Sequence, residues 1–581
     1  MDPPSRAARA LVATAAGLAL ADASIVALAL PPILAKMHTT VTGVAAIVGV
    51  YALVLAAAIL PAERLVRRYG PSRTGAAGLA LFAAASVACA LAGALTPLLV
   101  FRALQAAGAA AGLLAAFDIL DAGASAHGRR LWLGAALAGT AAGPALGGAL
   151  TEALDWRAIF AVQAPVCAAA ALGCLRARVR EEPEPATHAA FGPLWSDAAG
   201  PARPAREAEP AGAAREAAPS PPAAVAAAPA RFVSPAGAAL AFTSAAFTAV
   251  LFLLVLELVA GFAVSPLKAA AAVTVLPIAA LASSAVRGPA VARAAGGAVL
   301  MAGGAAALAL LPEPGIGWAV APQLLAGAGM GLALPAYAGE LLPERSATDA
   351  AYGLLARHVG IVLILAILAP VVSSRLDDLT GKAVLKGTSL VLDARLPPQD
   401  KLALAPDLFA GIDAERPRAG LQAALDKRRA QLAGDPALSA RLDDLVVASV
   451  KDAFGIAYAI AGVLALLAAA LLVRRAWATA AAAALVAGGC VAVYAVEESR
   501  HAPPEVVIRD PCRPRPLPQT GGISGFLQDQ LLKALDRTAC KYGSSREELV
   551  LAITDAARAR DYQRRYGVDP RGLGGLLGLI G

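Results

Sequence analysis

The chain is short of charge. Asp, Glu, Lys and Arg make up 16% of its 581 residues, against about 25% in an ordinary globular domain, too little to solvate a soluble protein of this size. Histidine is scarce as well, with 5 in the chain, and no glycine-rich loop stands ahead of a Lys-Ser or Lys-Thr pair. Those absences leave no catalytic constellation for an enzyme and no phosphate cradle for an ATP-driven pump. The 6 cysteines have no spacing that suits a metal site, and no cofactor is expected. A cleavable signal peptide is missing too. The N-terminus is short and basic (Arg6, Arg9), and the apolar run behind it is too long for a signal h-region, so it should be retained as an anchor.

What is abundant is hydrophobic sequence, at 58% of residues and a mean hydropathy of +0.64. It falls in apolar runs of about 18–26 residues between Leu11 and Val496, each long enough to cross a hydrocarbon core of about 30 Å as a helix. The runs are apolar all round, with no stripe, which excludes a soluble helical bundle. Spans are expected near 10–30, 43–61, 74–94, 97–118, 131–152 and 157–175. A second set is expected near 237–262, 266–285, 294–311, 317–338, 351–372 and 453–473, with a last near 478–496. That makes roughly thirteen, and the fold class is an all-α polytopic membrane protein.

Short-loop charges set the expected orientation. With the N-terminus inside, the inner loops carry Arg64, Arg67, Arg68 and Arg73, then Arg129 and Arg130, then Arg176, Arg178 and Arg180. Later inner loops carry Arg287, Arg293, Arg345, Arg474 and Arg475, whereas the outer loops hold Lys36, Arg157 and Lys268. Bases gather on the cytoplasmic side, so the chain is placed in the cytoplasmic membrane with its N-terminus inside. After an odd number of spans its C-terminus lies outside. The net charge of +8 then reads as topology and calls for no nucleic acid.

Residues 181–235, rich in Ala, Pro and Glu, have too few large apolar side chains to become ordered and read as a cytoplasmic linker. It separates a first half, 1–180, from a second, 236–475. Within the second half, 374–452 shows amphipathic patterning (Leu421–Leu432, Leu438–Val450) and reads as a helical extracytoplasmic insert. A further span at 476–496 leads to a helical segment, 497–581, also outside, whose Ser545 and Glu548 have capping-box spacing. Cys89, Cys167, Cys174 and Cys490 sit in apolar spans as small buried hydrophobes. Cys512 and Cys540 stand in soluble sequence on the side where disulfides persist; they are expected to bridge, stabilising by about 3–4 kcal/mol.

Several short motifs recur in a fixed order. LALADASIVALALP starts at Leu18, AERLVRRYGPSR at Ala62, FRALQAAG at Phe101, GTAAGPALGG at Gly139 and DWRAIF at Asp155. The second half adds SPLKAAAAVTVLP from Ser265, WAVAPQLLAGAGMGLALP from Trp318 and ARHVG from Ala356. In this order, and on these sides of the bilayer, they resemble the major facilitator superfamily, and within it the drug:proton antiporter branch with fourteen helices. The resemblance runs over about residues 10–475. It implies a major facilitator fold of two six-helix halves rocking about a midplane site. One extra C-terminal transmembrane helix and small helical extracytoplasmic domains are appended.

Gly139, Gly143 and Gly147 recur every four residues on one helix face and permit close helix approach, while Pro144 bends the span. The resemblance makes these, with Gly148, the antiporter motif at a gating interface; plain helix packing is the other reading. Asp22 lies mid-span, where an ionisable group costs about 2.5–3.5 kcal/mol. In the similar antiporters an acid here lines the central cavity and bears on proton coupling or cation binding. The alternative is a carboxyl bonded to a neighbouring helix for stability alone. Glu257 is either a second proton or cation site or a carboxylate that snorkels outward. The resemblance makes Arg102 the arginine of the proton-handling motif, with Gln105 beside it. A buried arginine needs a carboxylate, and Asp22 or Glu257 would serve, unless Arg102 snorkels outward. Arg357 and His358 lie near the inner end of their span, and His358 is either a group that titrates near neutral pH or a structural one.

The loop motif, with Glu63, Arg64, Arg67, Arg68, Gly70 and Arg73, departs from the family pattern. Arg67 stands where an aspartate is usual, in a charge cluster that latches one gating state; Glu63, one turn earlier, is placed to pair with it. The two central helices of the branch are missing, with the linker in their place. The expected function is secondary transport: proton-coupled export of small amphipathic organic compounds, with the lipid bilayer, a small-molecule substrate and protons as partners. The alternative is a non-transporting scaffold or sensor that presents its outer domains to an envelope protein partner.

Overall fold

The computed structural model describes residues 6–121, 125–176, 234–341, 346–409, 412–515 and 522–571. The linker expected at 181–235 lies outside the described residues as far as position 233, as do the loop bases Arg178, Arg180 and Arg345. Among the described residues, regular structure is helical throughout, with no strand. The first half holds α1 (Arg6–Ala27), a short α2 (Leu30–Lys36), α3 (Val41–Tyr69), α4 (Pro71–Leu91), α5 (Leu95–Ile119), α6 (Ala126–Ala153) and α7 (Ala158–Arg176). The second opens with α8 (Pro235–Leu256), which widens into a π turn over Glu257–Gly261. It continues through α9 (Pro266–Val273), α10 (Val275–Ser283), α11 (Ala290–Leu308), α12 (Ile316–Leu341) and α13 (Ala347–Asp393). Three shorter helices follow, α14 (Pro398–Phe409), α15 (Pro417–Lys427) and α16 (Arg429–Leu432), before α17 (Pro436–Ala470). The chain ends in α18 (Trp477–His501), α19 (Gly522–Tyr542), α20 (Arg546–Thr554) and α21 (Ala556–Tyr566).

The apolar runs become membrane helices. Among the described residues twelve segments are long and apolar enough to cross, with α9 and α10 taken together, and the bent α6 brings the number to 13. Its bend of 41° falls between Thr140 and Ala142, about one turn before Pro144, whose ring clashes with the carbonyl four residues back and forfeits that hydrogen bond. Helix starts are marked by hydroxyl caps. Thr40 Oγ1 accepts from Gly43 N at 3.2 Å, Ser125 Oγ from Gly128 N at 2.9 Å and Ser234 Oγ from Gly237 N at 3.1 Å. Each satisfies a donor that the first turn leaves orphaned.

The two halves repeat one packing device. In the first, α4 crosses α5 at Gly78 and Gly108, where a Cβ on Gly108 would lie 2.6 Å from Gly78 O. At the corresponding crossing in the second, α11 meets α12 at Gly297 and Gly329, with the matching distance 2.3 Å from Gly329 to Gly297 O. Missing side chains let the backbones touch where lipid supplies no hydrophobic drive for association. The thirteenth span, α18, is peripheral. It lies against α11 through Thr479 on Gly296 and Ala487 on Gly303, and only 22% of its most apolar window is buried, against 89% for α8.

Two features differ from the reading of the sequence. The spans expected to end near 372 and begin near 453 do not stop there: α13 runs unbroken to Asp393 and α17 starts at Pro436. Pro370 lies at the first junction without ending α13, no proline interrupts α17 beyond its first turn, and both helices pass beyond the apolar zone. The segments 374–452 and 497–581, read separately, share one apolar core, hereafter the cap. Val391, Leu404, Leu421 and Leu442 bury against Leu535, Leu549 and Tyr562. Cys512 and Cys540 are disulfide-bonded, with Cα atoms 5.0 Å apart. Arg418 fixes the cap to the bundle: it pairs with Asp443 at 2.9 and 2.7 Å and donates to Phe262 O at 3.0 Å.

Candidate functional site

Asp22 and Arg102 come together inside the first half. Arg102 Nη1 and Nη2 donate to the two carboxylate oxygens of Asp22 at 2.9 and 2.5 Å, and neither residue is exposed at all. The guanidinium also donates to Ile47 O at 3.2 Å and Gln105 Oε1 at 2.6 Å, and lies 4.3 Å from the centre of the Tyr51 ring. Gln105 Nε2 passes the network to Ser86 Oγ at 2.8 Å and Gln163 Oε1 at 3.1 Å. Five helices, α1, α3, α4, α5 and α7, are thus tied through one buried charge pair. Such a pair is held by hydrogen bonds that satisfy its remaining lone pairs and protons.

This geometry gives the partners of the side chains singled out in the sequence. Arg102 does not snorkel, and its partner is Asp22. Glu257 does not snorkel either: it is 1% exposed, sits in the π turn, and accepts from Tyr458 Oη at 2.8 Å. His358 is buried and its Nδ1 donates to Leu354 O at 2.7 Å within its own helix, which leaves it outside the Asp22 network. Tyr51, Ser86, Gln163 and Tyr458 went unnoticed in the sequence. For Ser86 and Gln163 the available signal was a polar residue inside an apolar run.

Between the halves lies a cavity with 20 Å³ open to the centre of a water molecule, room for one or two waters. Ala23, Ser24, Val48 and Thr140 line it from the first half, and Phe247, Thr248, Phe252, Arg357 and Ile361 from the second. Asp22 and Glu257 do not line it, a correction to the expectation that Asp22 does. A helix turns adjacent residues to different faces, so Ala23 and Ser24 face the cavity while Asp22 faces Arg102.

The glycine stripe of α6 divides its contacts. A Cβ at Gly139 would lie 2.3 Å from Gly17 O, at Gly143 2.1 Å from Ser24 Oγ, and at Gly147 2.3 Å from Ile25 O, all on α1. Gly148 faces the other half, 2.1 Å from Ala270 Cβ. At the opposite end of the bundle, Glu63 accepts from Arg67 Nη2 at 3.0 Å and from Thr348 Oγ1, on α13, at 3.0 Å. Gly70 caps α3 with φ of 81°, a conformation that favours glycine, while Arg64, Arg68 and Arg73 are exposed. On the cap side, Asp155 pairs with Lys36. Burial pushes its carboxyl up, but the hydrogen bonds from Lys36 and from Arg157 N outweigh this and hold it below the usual range.

Comparison with known proteins agrees with this architecture. The chain is 35% identical over 166 residues to the tetracenomycin C resistance and export protein of Streptomyces glaucescens, covering 28% of this chain and 31% of that protein. It is 35% identical over 163 residues to the multidrug resistance protein Stp of Mycobacterium tuberculosis, covering 27% and 30%. The chain thus spans under a third of the length of these curated relatives. Among solved structures, a bacterial homolog to the human lysosomal transporter Spinster, inward-facing and occupied, superposes with a TM-score of 0.54 at 15% identity, covering 82% of this chain and 98% of that one. That likeness is one of fold alone. The family model of the Major Facilitator Superfamily matches residues 12–367, more than half the chain, and the chain belongs to that superfamily, whose members are transporters and not enzymes.

Proposed function

We propose that the chain is a secondary active exporter of small amphipathic organic compounds, driven by proton exchange. In this reading it sits in the cytoplasmic membrane with the N-terminus inside and the cap outside, the orientation that the loop arginines favour. The observation that carries the proposal is the fully buried Asp22–Arg102 pair in one half of a facilitator fold. The relatives named for resistance and export support the substrate class and direction. Two unit charges about 4 Å apart attract by about 4 kcal/mol at an effective dielectric of 20. Protonating Asp22 removes that attraction, which shifts a two-state equilibrium by about a thousandfold when the pair is made in one state of the cycle and broken in the other. Glu257, hydrogen-bonded to Tyr458 in the second half, is the second candidate carrier. In the alternating cycle, Glu63 joined to Arg67 and Thr348 acts as the inner latch, a role the missing loop aspartate would otherwise serve.

Everted membrane vesicles test this directly. A panel of fluorescent amphipaths of both charge signs is offered under an imposed pH gradient, inside acid. At least one is expected to accumulate, and a protonophore to discharge it. If no compound accumulates above vesicles lacking the protein, the exporter reading is wrong and the scaffold reading takes its place.

Closure on the cap side depends on Gly148. In Gly148→Leu the side chain meets Ala270 and Pro266 and should prop the halves apart. Labelling of an introduced cysteine (Ala270→Cys) by an impermeant maleimide is expected to rise at least about tenfold in rate, since about 1.4 kcal/mol of overlap suffices. Efflux should stop. Unchanged labelling would mean that the halves do not separate along this face.

A further inference from the structure

The cavity between the halves has one ionisable side chain in its lining, Arg357, and no carboxylate. Arg357, Ile361 and Leu365 recur four apart on α13 and all line it, so the guanidinium shares a helix face with the apolar wall. Among the described residues Arg357 has no hydrogen-bond or ion-pair partner. The acids that might neutralise it are committed elsewhere: Asp22 to Arg102, Glu257 to Tyr458, and Glu63 to Arg67 and Thr348. His358, next in sequence, is bonded within its own helix.

The hydroxyls sharpen the asymmetry. Ser24 donates to Ala21 O at 2.7 Å and Thr140 to Ala136 O at 2.8 Å. The protons of these two are taken, which leaves the neutral hydroxyl of Thr248 and the charged Arg357 as the side-chain donors of the wall. A half-buried guanidinium that lines an otherwise apolar cavity and is left unpaired favours an anion, and its planar fork matches an acid head bidentately. Phe247, Phe252 and Leu251 supply a surface for an apolar body.

We infer that this cavity, which holds one or two waters in the closed arrangement and must widen as the halves part, takes amphipathic organic anions, with Arg357 binding the acid head and the walls of α8 and α13 binding the hydrophobic body. The inference rests on the exporter reading and narrows its substrate class.

Two pyrene probes with the same body, one ending in a sulfonate and one in a trialkylammonium, separate the outcomes in proteoliposomes of the full chain under a pH gradient. The wild type is expected to move the sulfonate and to leave the ammonium near background. Arg357→Gln should lower sulfonate transport by about 30-fold or more, the usual loss when one partner of a desolvated charge pair is truncated. Arg357→Lys should keep an intermediate rate, because it retains the charge and loses the fork. Anisotropy of the sulfonate probe on solubilised protein reads binding in each variant, and a thermal midpoint equal to wild type certifies folding. Transport of the ammonium and not the sulfonate overturns the anion class and leaves the exporter standing. Equal sulfonate transport and binding by the wild type and a folded Arg357→Gln removes Arg357 from the site. If neither probe moves or binds in the wild type, this inference fails, while the exporter reading stands or falls on the vesicle panel.

Discussion

Asp22→Ala is expected to abolish pH-driven efflux and to lower stability by about 3–5 kcal/mol, the cost of stranding one member of a buried charge pair. Arg102 has 0% exposure and is enclosed by a network that ties its own helix to four others, α1, α3, α4 and α7, so it has no route to water without unpacking the first half. The informative experiment is the double variant Asp22→Ala/Arg102→Met. Replacing a buried ion pair by apolar groups of similar volume is often neutral or stabilising, so most of the lost stability should return. Transport should not, because the exchangeable proton site is gone. The thermal midpoint in detergent and the efflux of everted vesicles read the two effects separately. A double variant that pumps with its pH dependence intact would reduce the pair to a structural role.

Arg546→Ala is expected to loosen the cap by a similar amount, about 3–5 kcal/mol, while leaving the membrane bundle folded. Arg546 is 0% exposed and reaches Asp393 at 2.7 Å, Glu547 at 3.4 Å and Asp536 at 3.9 Å. Arg515 shares Asp536 and reaches Glu547 at 3.6 Å. Two cations thus hold three carboxylates from α13, α19 and α20. Without Arg546, the three acids are left with one. Arg515 lies three residues beyond Cys512, so the disulfide positions this second cation. Limited proteolysis is the readout: cleavage after His501 should accelerate in Arg546→Ala, and accelerate further with Cys512→Ser. Protease resistance equal to wild type in both variants would show that the apolar core alone holds the cap. The efflux of the same variants then tells whether the cap matters to transport.

Much of this was legible before any coordinates. Charged residues inside apolar runs are costly, and that cost marks Asp22 and Glu257, while Arg102 is marked by the resemblance of its motif. Choosing partners was another matter. Arg102 meets a residue 80 positions away and Glu257 one 201 positions away, and nothing in local pattern ranks such pairs. Tyr458 read as one more aromatic in an apolar span, because a tyrosine's hydroxyl matters only once something polar faces it. The motif glycines show the same limit. Their spacing announced close packing, but not that Gly139, Gly143 and Gly147 press on α1 while Gly148 presses on the second half.

The sequence by itself determined the membrane-spanning, all-helical class, because hydrocarbon thickness and the need to satisfy every backbone donor leave a long apolar run no other form. It also determined which side chains are too costly to be accidental. Only the tertiary structure decided that Asp22 turns inward to Arg102 while its neighbours face the cavity, and that the insert and the C-terminal segment share one core. It alone showed that Arg357 has no hydrogen-bond or ion-pair partner among the described residues. These are consequences of how helices rotate and meet, and charge pairing depends on distances that chain order does not encode.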